Sequence, residues 1–197
     1  LAIFKGLQEL GMKFRCMTRA DLVTREHLRK IKEYGCAEIC FGAESGDPYI
    51  LDVINKGTSV EENTRFVNWC HEVGLRVKAY LMIGLPGESP QSVEKTKNWL
   101  KHTKPDNYDL SIIVPYPGSE IYEHKDLFEI DWDPNDLERL LYSGSPQYDY
   151  SVVHTPYLSA EEITTLRNEI LKEIPRGVGG TTEYWGPNAI WQSIDRK

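Results

Sequence analysis

The sequence predicts an α/β protein: parallel strands joined by crossover helices, forming an open or partial (β/α) barrel and followed by a C-terminal extension. Three observations carry that expectation. First, strand-like apolar runs recur four times within residues 1–120, each followed by a helical pattern, the arrangement that sets strands parallel. Second, residues 76–88 begin as polar/apolar alternation, pass into an apolar run and stop at Gly84, Pro86 and Gly87, with Ser89-Pro90 reading as an N-cap and a first-turn proline. A strand thus delivers a glycine-bearing loop to a helix N-terminus, a junction that lies at the carboxyl end of a sheet or barrel, where ligands bind. Bare backbone at Gly84 and Gly87 predicts close approach of a flat ligand. Third, strand parity leaves one face mixed. Lys78, Tyr80, Met82 and Gly84 share a side, as do Glu38, Cys40, Gly42 and Glu44, and a closed barrel packed with side chains would not take Lys78 and Glu44 inside.

Taken in order, residues 2–11 read as the end of a helix closed by Gly11. A short strand spans 13–18. Thr24 caps a helix over 25–34, with Leu28 and Ile31 inward and Gly35 as its stop. A second strand covers 37–43 and leads into Glu44-Ser45-Gly46. Asp47-Pro48 opens a short helix carrying Ile50, Leu51 and Ile54. Thr58-Ser59-Val60-Glu61 reads as a capping box for a helix with Phe66, Val67, Cys70 and Val73 inward, ended by Gly74. The third strand is 76–83. The helix after Ser89 carries Val93, Thr96, Trp99 and Leu100 and fades at Lys104-Pro105. A fourth strand, 108–114, is closed by Pro115-Tyr116-Pro117-Gly118. Beyond residue 120 the periodicity weakens; Ser159-Ala160-Glu161-Glu162 is a second capping box, opening a helix near 160–174. The expected division is 1–120 for the strand–helix core and 121–197 for an extension packing on it, whose end carries Tyr184, Trp185 and Trp191.

The chain has 197 residues, 40% of them hydrophobic and 27% charged, with a formal net charge of −7. That is the composition of a soluble globular domain, and its acidic balance argues against nucleic-acid binding. No apolar run approaches the roughly 20 residues of a membrane helix. The first residue is not Met and the helical pattern of Ile3, Leu7 and Leu10 is already under way, which reads as a piece of a longer protein. Cys36 and Cys40 resemble half a metal motif, but four residues along one strand separate them by roughly 13 Å. They read as buried structural thiols, which makes a reducing, cytoplasmic setting the default. The five histidines form no ligand cluster.

At the carboxyl ends of the first two strands stand Arg19 and Glu44. A guanidinium and a carboxylate there suit an amino-acid-like ligand or ribose hydroxyls; equally, they suit pairing with each other as a cap on the barrel.

With these residues in view, the chain resembles the radical S-adenosylmethionine superfamily, and within it the branch that often carries a cobalamin-binding domain. The motifs are Thr18-Arg19-Ala20-Asp21, Phe41-Gly42-Ala43-Glu44-Ser45-Gly46, Asn55-Lys56-Gly57-Thr58, Met82-Ile83-Gly84-Leu85-Pro86-Gly87-Glu88 and Pro115-Tyr116-Pro117-Gly118-Ser119. Each is weak alone; five in order are specific, and they cover residues 1–120. The resemblance implies a six-unit partial barrel of which this chain supplies about four units. It also implies S-adenosylmethionine and a 4Fe–4S cluster as cofactors, with cobalamin in some members, and radical modification or methylation of a small-molecule substrate. By the same resemblance Glu44 and Ser45 match a ribose-binding motif. Gly84, Leu85 and Pro86 match a loop lying against adenine, Arg19 a position near the cofactor's charged end, and Tyr80 and Tyr116 lumen walls. The cysteine triad with +4 and +7 spacing is absent, since position 43 is Ala. The resemblance therefore places the cluster ligands, and the missing N-terminal part of the protein, upstream of residue 1, and implies that this piece alone would not turn over. Two other readings stay open: a cluster-free (β/α) nucleotide-binding module, and a non-catalytic interaction domain using the aromatic C-terminal part.

Overall fold

A computed structural model describes residues 2–133 and 150–177. After α1 (Ala2–Glu9), the core is built from β1 (Phe14–Thr18), α2 (Arg25–Glu33), β2 (Cys36–Glu44), α3 (Pro48–Val53), α4 (Val60–Val73), β3 (Arg76–Ile83), α5 (Pro90–Thr103) and β4 (Asn107–Ile112). The four strands pair in sequential order and all in parallel. That is the expected α/β architecture. Then follow α6 (Glu120–Glu123), a two-residue antiparallel pair of β5 (Asp131–Trp132) with β6 (Val153–His154), and α7 (Ala160–Glu173). The aromatic tail expected past residue 180 lies outside the described residues. No helix among the described residues is long and apolar enough to cross a membrane.

Parity sorts the sheet into two sides. Ile39, Phe41 and Ala43 of β2 and Val77, Ala79, Leu81 and Ile83 of β3 are buried together with Leu28 and Ile31 of α2 and Phe66, Val67 and Cys70 of α4. Phe41 and Phe66 meet at 4.7 Å between ring centroids across the strand–helix interface. The other side carries Arg15, Glu38, Cys40, Gly42, Lys78, Tyr80, Met82, Asp109 and Ser111, neighbours across the ladders. It is the inward, lumen face.

Helix ends follow local chemistry closely. Ser89 and Ser159 cap α5 and α7 as expected, and Gly74, at φ 68°, terminates α4. One expectation is off by a residue: the box that starts α4 is Ser59 with Glu62, not Thr58 with Glu61. The Ser59 hydroxyl accepts from the Glu62 amide at 3.1 Å and the Glu62 carboxylate accepts from the Ser59 amide at 2.9 Å. Thr58 is drawn into the interior instead. Its hydroxyl is buried with no hydrogen-bond partner among the described residues. The fourth strand begins and ends slightly early, although the Ile113 amide still donates to the Ile83 carbonyl at 2.9 Å. All four cysteines are free; Cys36, Cys40 and Cys70 are buried and Cys16 is half-buried.

Candidate functional site

The end of β2 is distorted. Its register on β3 slips between Gly42 and Glu44, and Glu44 adopts a left-handed φ of 60°. The slip is a bulge that re-aims the last side chain of the strand. The Glu44 carboxylate lies back over Gly42, where an added Cβ would come within 2.2 Å of Glu44 Oε1 and 2.8 Å of Lys56 Nζ. Gly42 is therefore the floor on which a carboxylate–ammonium pair rests. Lys56 Nζ donates to Glu44 Oε1 at 2.6 Å, with the two side chains 19% and 14% exposed.

Arg19 does not complete that pair. Its guanidinium binds both oxygens of Asp21, at 3.1 and 3.2 Å, and the Gly57 carbonyl at 3.3 Å. The expected alternative, direct pairing of Arg19 with Glu44, is thus corrected: each residue bonds instead to the loop 55–58, whose turn brings Lys56 to one and the Gly57 carbonyl to the other. Ser45 is turned away as well. It is buried against α5, with its hydroxyl 3.1 Å from Thr96 Oγ1 and accepting from the Asp47 amide at 3.1 Å. Its neighbour Gly46 packs so closely that an added Cβ would lie 2.7 Å from Thr96 and Trp99.

The loop after β3 is held from inside. The Gly84 amide donates to Glu88 Oε2 at 2.6 Å and the Glu88 amide to the Leu85 carbonyl at 3.0 Å. Burial pushes the Glu88 carboxyl up to about 8, against the opposing pull of the Gly84 and Leu85 amides, and the nearby Asp47 charge adds to the rise. At both glycines the side on which a side chain would stand is already occupied. At Gly84 (φ 84°) an added Cβ would meet Ile113 and Ile163 at 3.3 Å, and at Gly87 (φ 73°) it would meet the Tyr49 ring at 3.2 Å. Pro86 is buried in the turn.

What converges at these strand ends is a cavity of about 610 Å³ whose wall includes Glu44, Lys56, Met82, Leu85, Ser111 and Tyr116. Its size falls within the ordinary range for small-molecule pockets, and it is largely apolar with one charged pair. Of the eight residues singled out from the sequence, Glu44, Leu85 and Tyr116 line it, whereas Arg19, Ser45, Tyr80, Gly84 and Pro86 do not. Tyr80 stands deeper on the lumen face, under the Lys78 ammonium at 5.3 Å, its phenol pushed up to about 12 by burial and by its hydrogen bond with Cys40. Lys56, Met82 and Ser111 are cavity residues that sequence reasoning gave no role. Parity on the third strand already put Met82 on the inward face. Lys56 sat inside a quoted motif, but its partner lies 12 positions away and across a bulge.

Lower on the same face, Arg15, Glu38 and Arg76 stand in one cross-strand row, and Lys78 pairs with Asp109 at 2.7 Å. Among the described residues no three His, Cys, Asp or Glu side chains come together as a metal site. Cys36 and Cys40 lie along one strand, where they do not meet. The chain's described residues therefore do not fit a 4Fe–4S cluster, whereas the upper cavity has the volume of a small-molecule pocket.

The chain is similar to known proteins in sequence and in fold. The family model described as the Radical SAM superfamily matches residues 1–100. An uncharacterised methyltransferase of Pyrococcus horikoshii is 30% identical over 115 residues, which cover 58% of this chain and 25% of that protein. The anaerobic magnesium-protoporphyrin IX monomethyl ester cyclase of Rubrivivax gelatinosus is 25% identical over 118 residues, 59% of this chain and 21% of that protein. Among solved structures, the coproporphyrinogen III oxidase of Escherichia coli, described as a radical SAM enzyme, superposes with a TM-score of 0.56 at 17% identity, covering 76% of this chain and 37% of that one. The matched part of the chain spans about a quarter of the length of these curated relatives.

Proposed function

The chain belongs to the Radical SAM superfamily, and from that premise we propose that it forms the S-adenosylmethionine-binding part of a radical enzyme whose cluster ligands stand on a segment other than these residues. The observation that carries the reading is the cavity at the strand ends, where Glu44, Lys56 and Leu85 meet. When bound with a reduced 4Fe–4S cluster, S-adenosylmethionine supplies one-electron chemistry, a reductive cleavage that lets hydrogen be abstracted from a substrate or a methyl group be passed to it.

The chain's own residues bind and orient. Glu44 keeps one carboxylate oxygen on Lys56 and offers the other to ribose hydroxyls. Lys56 holds that carboxylate in place and leaves ammonium protons for an anionic group of the ligand. Leu85 and Met82 supply apolar wall for a base, and Tyr116, half-exposed at the rim, limits access of water. Ser45 acts one step back: its bonds to Thr96 and Asp47 hold the loop that follows Glu44. The relatives named as a methyltransferase and a porphyrin ester cyclase support methylation or radical modification of a small molecule.

The test is calorimetric. In the full-length, anaerobically reconstituted protein, Glu44→Ala should weaken S-adenosylmethionine binding by about 1–3 kcal/mol, the scale of a lost charge-assisted hydrogen bond. Unchanged affinity removes Glu44 from the site. A full-length protein with no cysteine triad of +4 and +7 spacing ends the reading outright.

A further inference from the structure

The bulge that aims Glu44 is held from the helix layer by a buried side chain. In the register of β2 on β3, Gly42 stands beside Tyr80 and Glu44 beside Leu81, so Ala43 is the extra residue between them. Its carbonyl accepts from the Ser45 amide at 2.8 Å and from Asn63 Nδ2, on α4, at 3.2 Å. The first bond closes a three-residue turn around Glu44, and a positive φ at the centre of such a turn, here 60°, is its strained form. Strained backbone persists only where the surrounding structure over-determines it. The Ala43 carbonyl lies in the same planar peptide unit as the Glu44 amide, so a donor that fixes that carbonyl also fixes the plane from which the Glu44 side chain departs.

Asn63 is 1% exposed, and its Oδ1 accepts no hydrogen bond among the described residues. It follows the N-cap Ser59 by four residues, a place where an apolar side chain commonly packs under a helix start. For folding alone a leucine suits that place better than an amide with an enclosed, unpartnered oxygen. The same first turn of α4 receives the loop that carries Lys56. Both members of the Glu44–Lys56 pair are thus tied to one helix start, Lys56 through the chain and Glu44 through Asn63. We propose that Asn63 is a positioning residue of the cavity: by fixing the peptide bond before Glu44, it holds the carboxylate where it meets Lys56 and the ribose hydroxyls of S-adenosylmethionine. The ligand in this inference rests on the function proposed above.

The experiment is a double-mutant cycle in the full-length, anaerobically reconstituted protein, with S-adenosylmethionine affinity read by calorimetry and stability by urea unfolding. Asn63→Leu should weaken binding about fivefold while the unfolding midpoint stays level or rises, since the Ala43 carbonyl keeps its bond from Ser45. In the Glu44→Ala background the same substitution should change affinity by less than about twofold, because a residue that acts through Glu44 then has no carboxylate to place. A merely structural asparagine behaves otherwise: its loss lowers the midpoint, and any loss of affinity multiplies with that of Glu44→Ala. Asn63→Ser, too short to reach the Ala43 carbonyl, runs the same cycle should Asn63→Leu fail to fold. Unchanged affinity in the Asn63 variant, or losses that multiply, overturn the positioning role and leave the cavity reading standing. An unaltered protein that does not bind S-adenosylmethionine, or a Glu44→Ala variant that binds it as well as before, overturns the cavity reading and this role with it.

Discussion

A glutamate held at φ 60° costs on the order of 1–2 kcal/mol relative to a relaxed backbone, and the protein tolerates it where β2 must turn a carboxylate onto Lys56. Gly42 has a separate task at the same place: its missing side chain is the space the pair occupies. Glu88 illustrates burial deciding chemistry. Its carboxyl, ordinarily near 4.5, is pushed up to about 8 in the fold, so the folded state holds the proton more tightly than the unfolded chain does. Its contribution to stability is therefore most favourable below the unfolded value and declines as pH rises through the window from about 4.5 to about 8. Glu88→Gln removes that titration while retaining an acceptor for the Gly84 amide. The variant should gain on the unaltered protein by on the order of 2–4 kcal/mol between pH 5 and pH 8.5. Urea unfolding of both proteins at the two pH values measures it, and parallel pH dependences would show that the buried carboxyl does not titrate as described.

Among elements, α4 is the most informative. Thr58-Ser59-Val60-Glu61-Glu62 contains two overlapping capping boxes one residue apart, and propensity alone does not choose between them. The choice falls to Ser59 because the preceding turn, with Asn55 at φ 48° and Gly57 at φ 69°, has to bring Lys56 to Glu44 and the Gly57 carbonyl to Arg19. Thr58 is then left inside. Ser59→Ala should cost about 1 kcal/mol of stability, the usual value of an N-cap. Thr58→Val keeps the shape and removes a buried hydroxyl without a partner, so it should be neutral or stabilising. Chemical denaturation of both variants decides it; the reverse order of stabilities would restore the Thr58 box.

For the molecule as a whole, α7 is part of the same core as the sheet. Ile163 and Ile170 are buried with Ile83, Leu110 and Ile113, and Arg167 Nε donates to the Leu110 carbonyl at 3.1 Å. Ile163 also covers the bare side of Gly84, so the helix seals the loop that carries Leu85 into the cavity. Ile163→Ala should lower unfolding stability by about 2–5 kcal/mol through the space it opens. It should also loosen residues 84–88, seen as faster amide exchange at Gly84 and Leu85 while β1 is unaffected. Unchanged exchange there would mean that the loop is held by Glu88 alone.

Much of this architecture was legible in the sequence, and the cavity only partly. The third strand, the caps Ser89 and Ser159 and the stop at Gly74 lie where local chemistry put them, because backbone preference and capping act over a few residues. The family motifs placed Glu44, Leu85 and Tyr116 at one end of the sheet, and all three line the cavity. What the tertiary structure decided was each group's neighbour. A bulge gave Glu44 to Lys56 rather than Arg19, helix α5 took the Ser45 hydroxyl inward, and Ile163, from the last described helix, occupied the room beside Gly84. These outcomes depend on which distant side chain arrives at a given spot, and neither spacing nor propensity along the chain contains that information.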